Sequence, residues 1–401
     1  MTRQLRHHRR TLAALAAVPL LLAAGCAGSS LNTTNSTSGA ETIRIGLMLP
    51  QSGPYKAIGE ELAHGWQLYL DTHHNTLGGH PVQVITADEA EGKQTALSAV
   101  HKLLDKDHVT VLVGTATADS VETIKTVLTE AKIPFIGTGG RPSDLKDLTY
   151  IWHTSWLSRQ PGAAIADYVR TTVNGPVYVI GPDYQGGWDQ VGGFTDAFTA
   201  GGGKLANPGG KPTWVPWPTT TNFLPYFNTI AGTGAKAVYA FYAGAPGVAF
   251  VKQYAAAGLQ GKIPLYAAGW LTEGAALSAE GGAADGVQTV LCYAPNLDNP
   301  ANRAFAPAFQ QHFQVVPDIQ NVTAWDAAQV LDRAIAAAGA HPTSASINTA
   351  IGALGAVDSP RGQWRFGTTH SPIQPWYLRQ VQFDGRARAN VVIRNLTTLG
   401  N

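Results

Sequence analysis

The sequence predicts an α/β protein of two doubly wound parallel-sheet lobes joined by a three-crossover hinge. Short aliphatic runs alternate with helical stretches from residue 43 to beyond residue 290, the rhythm of strand, crossover helix and parallel strand. That rhythm pauses once, at Tyr150-Ile151-Trp152-His153-Thr154-Ser155-Trp156, and then restarts, so the chain holds two units of similar size. A length of 401 residues with 44% hydrophobic content also favours two cores over one.

The first forty residues read as addressing. Arg3, Arg6, Arg9 and Arg10 precede an apolar run from Leu12 to Ala24, too short to span a bilayer well. Small residues then lead to Cys26. Residues 1–26 are expected to be a signal peptide. The small residues before Cys26 resemble the bacterial lipobox, which implies Cys26 as the lipidated first residue of the mature chain, the alternative being plain secretory cleavage near Ala24. Residues 27–41, rich in Ser, Thr, Asn and Gly, read as a flexible tether.

The first strand runs from Ile43 to Leu49. Ile43, Ile45, Leu47 and Leu49 alternate, and Gly46 and Met48 keep the other face nearly apolar, as in a strand covered on both sides. Pro50 and Ser52-Gly53-Pro54 turn the chain away at the strand's carboxyl end, where open α/β sheets bind small ligands. Ile58, Leu62, Trp66 and Tyr69 share one helical face, ended by Gly78-Gly79. Strands are predicted at 82–85, 109–113, 133–136, 177–180, 237–241, 263–267 and 287–291, separated by helices at 93–105, 119–131, 161–172, 189–200 and 246–257. Helices at 303–313, 323–339 and 344–354 exceed what the second sheet needs and are assigned to the first lobe; strands near 376–383 and 390–394 close the chain. The first lobe is thus 42–157 plus 292–367, and the second 158–291 plus 368–401. Hinge closure over a ligand is a standard use of such geometry.

Candidate ligand-binding residues follow from position. The loop Gly114 to Ser120 offers small residues and a helix amino end, where free N–H groups can hold an anion, with hydroxyls from Thr115 and Thr117 on either side of Ala116. Thr117 or Asp119 also serves as an N-cap, and a cap can coexist with a ligand. Gly139 and Gly140 allow close backbone approach, and Arg141 either pairs with a carboxylate or turns to solvent near Asp144. Tyr55, Trp156, Tyr184, Tyr242 and Trp270 stand just past strand ends, suited to stacking on an apolar or flat ligand or to packing at the rim. Ser52 and Ser155, in the same class of loop, complete the set.

Other function classes find little support. A net charge of +1 gives no field for nucleic acid, and two cysteines exclude a disulfide scaffold or a four-cysteine zinc site. Gly232-Thr233-Gly234-Ala235-Lys236-Ala237 has the letters of a dinucleotide fingerprint but precedes its strand. No phosphate-loop Lys, nucleophile elbow or His-Glu-x-x-His occurs, and His73, His74 and His80 read as a solvated helix end. No catalytic residues, metal or cofactor are expected.

The ordered set Ser52-Gly53-Pro54, Val113-Gly114, Ile133-Pro134-Phe135-Ile136, Gly181-Pro182-Asp183-Tyr184 with Gly187, Asn299-Pro300-Ala301 and Gly362-Gln363-Trp364-Arg365-Phe366 resembles the leucine/isoleucine/valine-binding protein family. Its members are extracytoplasmic, solute-binding lipoproteins that serve the permease subunits of ABC importers, with the type I periplasmic-binding fold. The resemblance covers residues 42 to 395. It implies a branched-chain amino acid or related apolar, oxo or aromatic acid, its carboxylate held at Thr115 to Thr117 and Gly139 to Arg141. It also implies membrane attachment through the lipid at Cys26, a monomer and no nucleic-acid partner. A ligand-sensing receptor feeding a signalling partner is the other function this fold implies. Family amino-acid binders carry an acidic residue that pairs with the ligand ammonium in a segment matching Ala267-Ala268-Gly269-Trp270; no carboxylate stands here, which favours an acid without an ammonium.

Overall fold

The computed structural model describes residues 40–90, 92–385 and 387–400; Cys26 and the expected signal peptide and tether up to residue 39 lie outside the described residues. The first sheet is built on β1 (Ile43–Leu49), buried along nearly its whole length, which pairs in parallel with β3 (His80–Asp88) on one side and β4 (Val111–Gly114) on the other. β5 (Phe135–Gly137) and β7 (Ile151–His153) extend it in parallel, and the short antiparallel β2 (Thr76–Leu77) caps its other edge. A separate two-stranded ribbon pairs β6 (Gly140–Arg141) with β8 (Trp156–Leu157).

The second sheet takes the order β10 (Thr213–Val215), β9 (Val177–Pro182), β11 (Ala237–Ala240), β12 (Leu265–Ala268), β13 (Gln288–Leu291), all parallel. β15 (Pro372–Phe383) then adds antiparallel to β13, flanked by the short β14 (Arg365–Phe366) and by β16 (Arg388–Leu399). The chain therefore leaves the first sheet after β7, runs after β13 into helices that pack beside that sheet, and enters the second sheet again at β14 and β15.

Helices α1 (Lys56–Thr72), α2 (Lys93–His101) and α3 (Ala118–Ala131) serve the first sheet; α4 (Gln160–Val173), α5 (Gln185–Ala200), α6 (Leu224–Gly232), α7 (Gly244–Ala256) and α8 (Ala275–Glu280) serve the second. The late helices α9 (Pro300–Phe313), α10 (Ile319–Ala338) and α11 (Ser344–Gly352) pack with α1 of the first sheet, α9 and α10 directly against it and α11 against α10. Local chemistry sets their starts. Asn299 accepts the Asn302 N–H (2.9 Å) ahead of Pro300, and Asp318 and Asn321 cap α10 reciprocally.

The strands predicted at 82–85 and 376–383 extend further, to His80–Asp88 and Pro372–Phe383, and β6, β8, β10, α6 and α8 have no counterpart in the periodicity because each is brief or lacks a repeating apolar face. His80 is buried rather than solvated, its ring nitrogens within hydrogen-bonding distance of the Glu41 and Gly339 carbonyls (3.0 and 3.3 Å). Among the described residues no group of acidic, His and Cys side chains is arranged to hold a metal, and no helix is long and apolar enough to cross a membrane.

The three crossovers meet at one side chain. Buried Arg361 donates to the Thr154 carbonyl, to Gln374 Oε1 (2.8 Å) and toward Cys292 Sγ (3.8 Å), and pairs with Asp326 (2.9 Å) on α10.

Candidate functional site

At the carboxyl ends of the central strands the two lobes enclose a chamber of about 20 Å³, room for about one water molecule, so a solute the size of an amino acid enters only when the lobes part. The first lobe contributes Tyr55, Ala116, Thr117, Ala118 and Gly140, and Ser158 joins them from the first crossover. The second contributes Tyr184, Gly186, Gln190, Phe241, Ala243 and Trp270. Each parallel strand ends by handing the chain to a helix, so these residues sit at helix starts: Tyr55 is the N-cap of α1, Thr117 of α3, Tyr184 of α5 and Ala243 of α7. Four positive helix ends thus converge on a lining that, among the described residues, holds no charged side chain.

Several buried donors and acceptors around this space have no hydrogen-bond partner among the described residues: Ser158 Oγ, Gln190 Oε1 and Trp270 Nε1 in the lining, and Ser155 Oγ, Thr115 Oγ1 and Trp156 Nε1 beside it. Buried polar atoms are ordinarily satisfied, so this group is available to hydrogen-bond a water or a polar solute. Tyr55 and Tyr184 close one wall from opposite lobes with their hydroxyls 2.9 Å apart.

Of the sequence-predicted residues, Tyr55, Ala116, Thr117, Gly140, Tyr184 and Trp270 line the chamber. Trp156 stands one layer back, edge-on to Trp270 at 5.7 Å and to Trp376 at 6.0 Å. Gly139 is a spacer: a Cβ there would come within 2.4 Å of the Ala116 carbonyl oxygen, so only glycine lets the two first-lobe loops meet. Thr115 is fully buried in a left-handed conformation (φ 58°), its N–H donated to the Met48 carbonyl (2.7 Å). Ser155 is buried, and its carbonyl accepts from Gln374 Nε2 (3.2 Å).

Three expectations need correction. Ser52 is exposed and donates to Asp88 Oδ2 (2.7 Å), because the turn after β1 folds back on the end of β3. Tyr242 packs in the second-lobe core between Phe223 (5.1 Å) and Phe250 (4.7 Å); successive residues past a strand end face opposite ways, so the chamber position belongs to Phe241. Arg141 neither lines the chamber nor reaches solvent. It is 1% exposed and follows Gly140 on the other face of β6, and its Nε and Nη1 have no partner among the described residues. Burial pulls its guanidinium down to about 10, and burial together with Arg141 holds the His153 imidazole well below its ordinary value.

The turn expected to hold an anion is also partly occupied from within. Glu89, fully buried, accepts the Ala116 N–H (2.7 Å), the Thr117 N–H (3.1 Å) and the Thr117 hydroxyl (2.9 Å). Burial raises its carboxyl above the ordinary value while these donors hold it down. The first two amides of the turn therefore serve an internal carboxylate, and a ligand is left the next turn of α3 from Ala118 and the Ser158 hydroxyl. Sequence reasoning missed Ala118, Ser158, Gly186, Gln190, Phe241 and Ala243. Phe241 was recoverable from strand alternation, and Gly186 and Gln190 from their i, i+4 spacing at the start of α5.

Comparison with known proteins identifies the architecture. Residues 42–386 match the family described as Periplasmic binding protein, and the chain belongs to it. It is 28% identical over 357 residues to the Leu/Ile/Val-binding protein homolog 6 of Brucella melitensis biotype 1, covering 86% of this chain and 89% of that protein. Among solved structures, a solute-binding protein of an R. palustris ABC transporter in complex with benzoate is 30% identical, with a TM-score of 0.82 over 90% of this chain and 98% of its own. A second R. palustris solute-binding protein, in complex with 4-hydroxybenzoate, is 26% identical, with a TM-score of 0.81 over 89% and 98% of the two chains.

Proposed function

We propose, from membership of the periplasmic binding protein family, that this protein is the extracytoplasmic receptor of an ABC importer and captures a small aromatic carboxylate. The observation that carries the reading is the convergence of four helix N-termini on a chamber without a charged side chain. Helix ends favour an anion by about 0.3–1 kcal/mol each. The lining provides no carboxylate for an ammonium, whose burial without a partner is costly. Tyr55, Tyr184, Phe241 and Trp270 supply aromatic walls, and Ser158 Oγ, Trp270 Nε1 and Gln190 add buried hydrogen-bonding groups without partners. The benzoate and 4-hydroxybenzoate complexes of two similar solute-binding proteins support the same class of solute.

In this reading the solute is trapped unaltered by hinge closure, the lobes dividing as 42–157 plus 292–367 and 158–291 plus 368–401. The closed receptor then delivers it to the permease, held to the membrane by a lipid on Cys26. Titration calorimetry and thermal shift with benzoate, 4-hydroxybenzoate, leucine, isoleucine and 4-methyl-2-oxopentanoate test the ligand class. Binding of one or more of the benzoates in preference to both amino acids is expected. A preference for leucine over its oxo acid and over benzoate overturns the reading.

A further inference from the structure

Trp217 lies between β10 and α6, outside every motif of the sequence and outside the chamber lining, yet it touches both lobes. Its ring stacks on Tyr184 at 5.1 Å with an interplanar angle of 27°, and on Tyr55 at 5.6 Å and 22°. Tyr184 belongs to the same lobe as Trp217; Tyr55 belongs to the other. These are the two tyrosines whose hydroxyls meet across the chamber wall. The turn that carries Tyr55 is gripped by the second lobe from another direction as well, since the Ala245 N–H reaches the Pro54 carbonyl at 3.3 Å.

Parting the lobes leaves the Tyr184–Trp217 stack intact and breaks the Tyr55–Trp217 stack. The indole thus gains a partner only when the cleft is shut. We propose that Trp217 is a retention residue, an aromatic cover laid across the Tyr55–Tyr184 wall that sets how long a captured solute stays and leaves the encounter step almost untouched. The inference rests on the cleft reading above but does not depend on the solute being an aromatic acid.

The test compares wild type, Trp217→Ala and Trp217→Phe by stopped-flow binding of benzoate, alongside small-angle scattering of each protein with no solute added. Loss of one aromatic stack and its buried area predicts benzoate dissociation about 5- to 20-fold faster in Trp217→Ala, association within about 3-fold, and most of the effect restored in Trp217→Phe. The solute-free alanine variant should show a larger radius of gyration than wild type. Unchanged dissociation, or association falling as much as dissociation rises, overturns the proposal. If wild type fails to take benzoate, the aromatic-acid reading falls and the scattering comparison decides the Trp217 proposal: an unaltered radius in the alanine variant sinks it.

Discussion

Closure of this receptor is expected to take up a proton at Glu61. This residue of α1 accepts the Ala275 N–H (2.7 Å) at the start of α8 in the opposite lobe. Asp318 lies beside it: a Cβ built on Gly274 would stand 2.2 Å from both Glu61 Oε1 and Asp318 Oδ2, so the two carboxyls close on the same point of the second-lobe backbone. Glu273 faces them from the second lobe, itself paired with Arg379 (2.7 Å) and accepting the first-lobe Ile319 N–H (3.2 Å); Glu60 is the neighbouring acid on α1. Burial is the largest influence and lifts Glu61 from 4.5 to about 7, with Glu273 and Glu60 adding to it and the Ala275 N–H opposing it. Asp318 is pushed well above its ordinary value, again chiefly by burial.

The sign follows directly. An acid raised in the closed form holds a proton that an exposed form has lost, so closing becomes less favourable as pH rises from about 4.5 to about 7, and flat above that. The ceiling is the full shift, about 3.4 kcal/mol or roughly 300-fold in affinity. Asp318 shares the first lobe with Glu61, so part of the shift survives opening, and roughly a tenfold weakening of the solute's Kd between pH 5.5 and 7.5 is the working expectation. Calorimetry in buffers of different ionisation heat should register net proton uptake near pH 6. Glu61→Gln, which keeps an oxygen for the Ala275 N–H, should reduce both the slope and the uptake. Asp119 and Asp189, raised mainly by burial and bonded across the cleft to the Gln185 and Ser143 N–H groups, act in the same direction and leave a residue of slope. An affinity that rises with pH, or a slope unchanged by Glu61→Gln, refutes the reasoning.

Glu280 tests the same physics in stability alone. It is 3% exposed, both carboxyl oxygens are unpartnered among the described residues, and burial pushes it up to about 9. Stability is therefore expected to fall as pH climbs from 4.5 toward 9, and urea unfolding should find Glu280→Met more stable at pH 7 by up to about 3 kcal/mol, with the two proteins converging near pH 4.5; parallel pH profiles would contradict this. Arg361→Met strips the partner from buried Asp326 and the donor from two crossovers, so a loss of about 3–5 kcal/mol in urea unfolding is expected, whereas a loss below 1 kcal/mol would mean the crossovers hold without it. Phe241→Ala should weaken solute binding by about tenfold while Tyr242→Phe leaves it unchanged, and calorimetry showing the reverse would restore Tyr242 to the cleft.

Position along the strands made half of the chamber lining legible and orientation hid the rest. Any residue just past the carboxyl end of a central strand is close to the cleft, which is why Tyr55, Ala116, Thr117, Gly140, Tyr184 and Trp270 were found. Which of two successive residues faces inward depends on the last φ and ψ of the strand, and a one-residue slip exchanges Phe241 for Tyr242 and turns Arg141 away from Gly140. Glu89 was invisible for a different reason. Nothing in Asp88-Glu89-Ala90 announces that the carboxylate will reach 27 and 28 residues ahead to the Ala116 and Thr117 amides.

The order of hydrophobic runs, turns and helical faces by itself determined that the chain folds as alternating strands and helices in two lobes, because periodicity and chain crossover rules act locally and leave few topologies open. The assignment of the late helices to the first lobe also came from the sequence alone, as an expectation. Only the tertiary structure decided what the lobes present to each other: four helix starts around an uncharged chamber, Glu89 beneath the anion turn, Trp217 across both tyrosines, and the Glu61–Asp318 pair at the opposite contact. Such pairings join residues tens to hundreds of positions apart, and their energies come from burial and desolvation, which exist only once both lobes are packed.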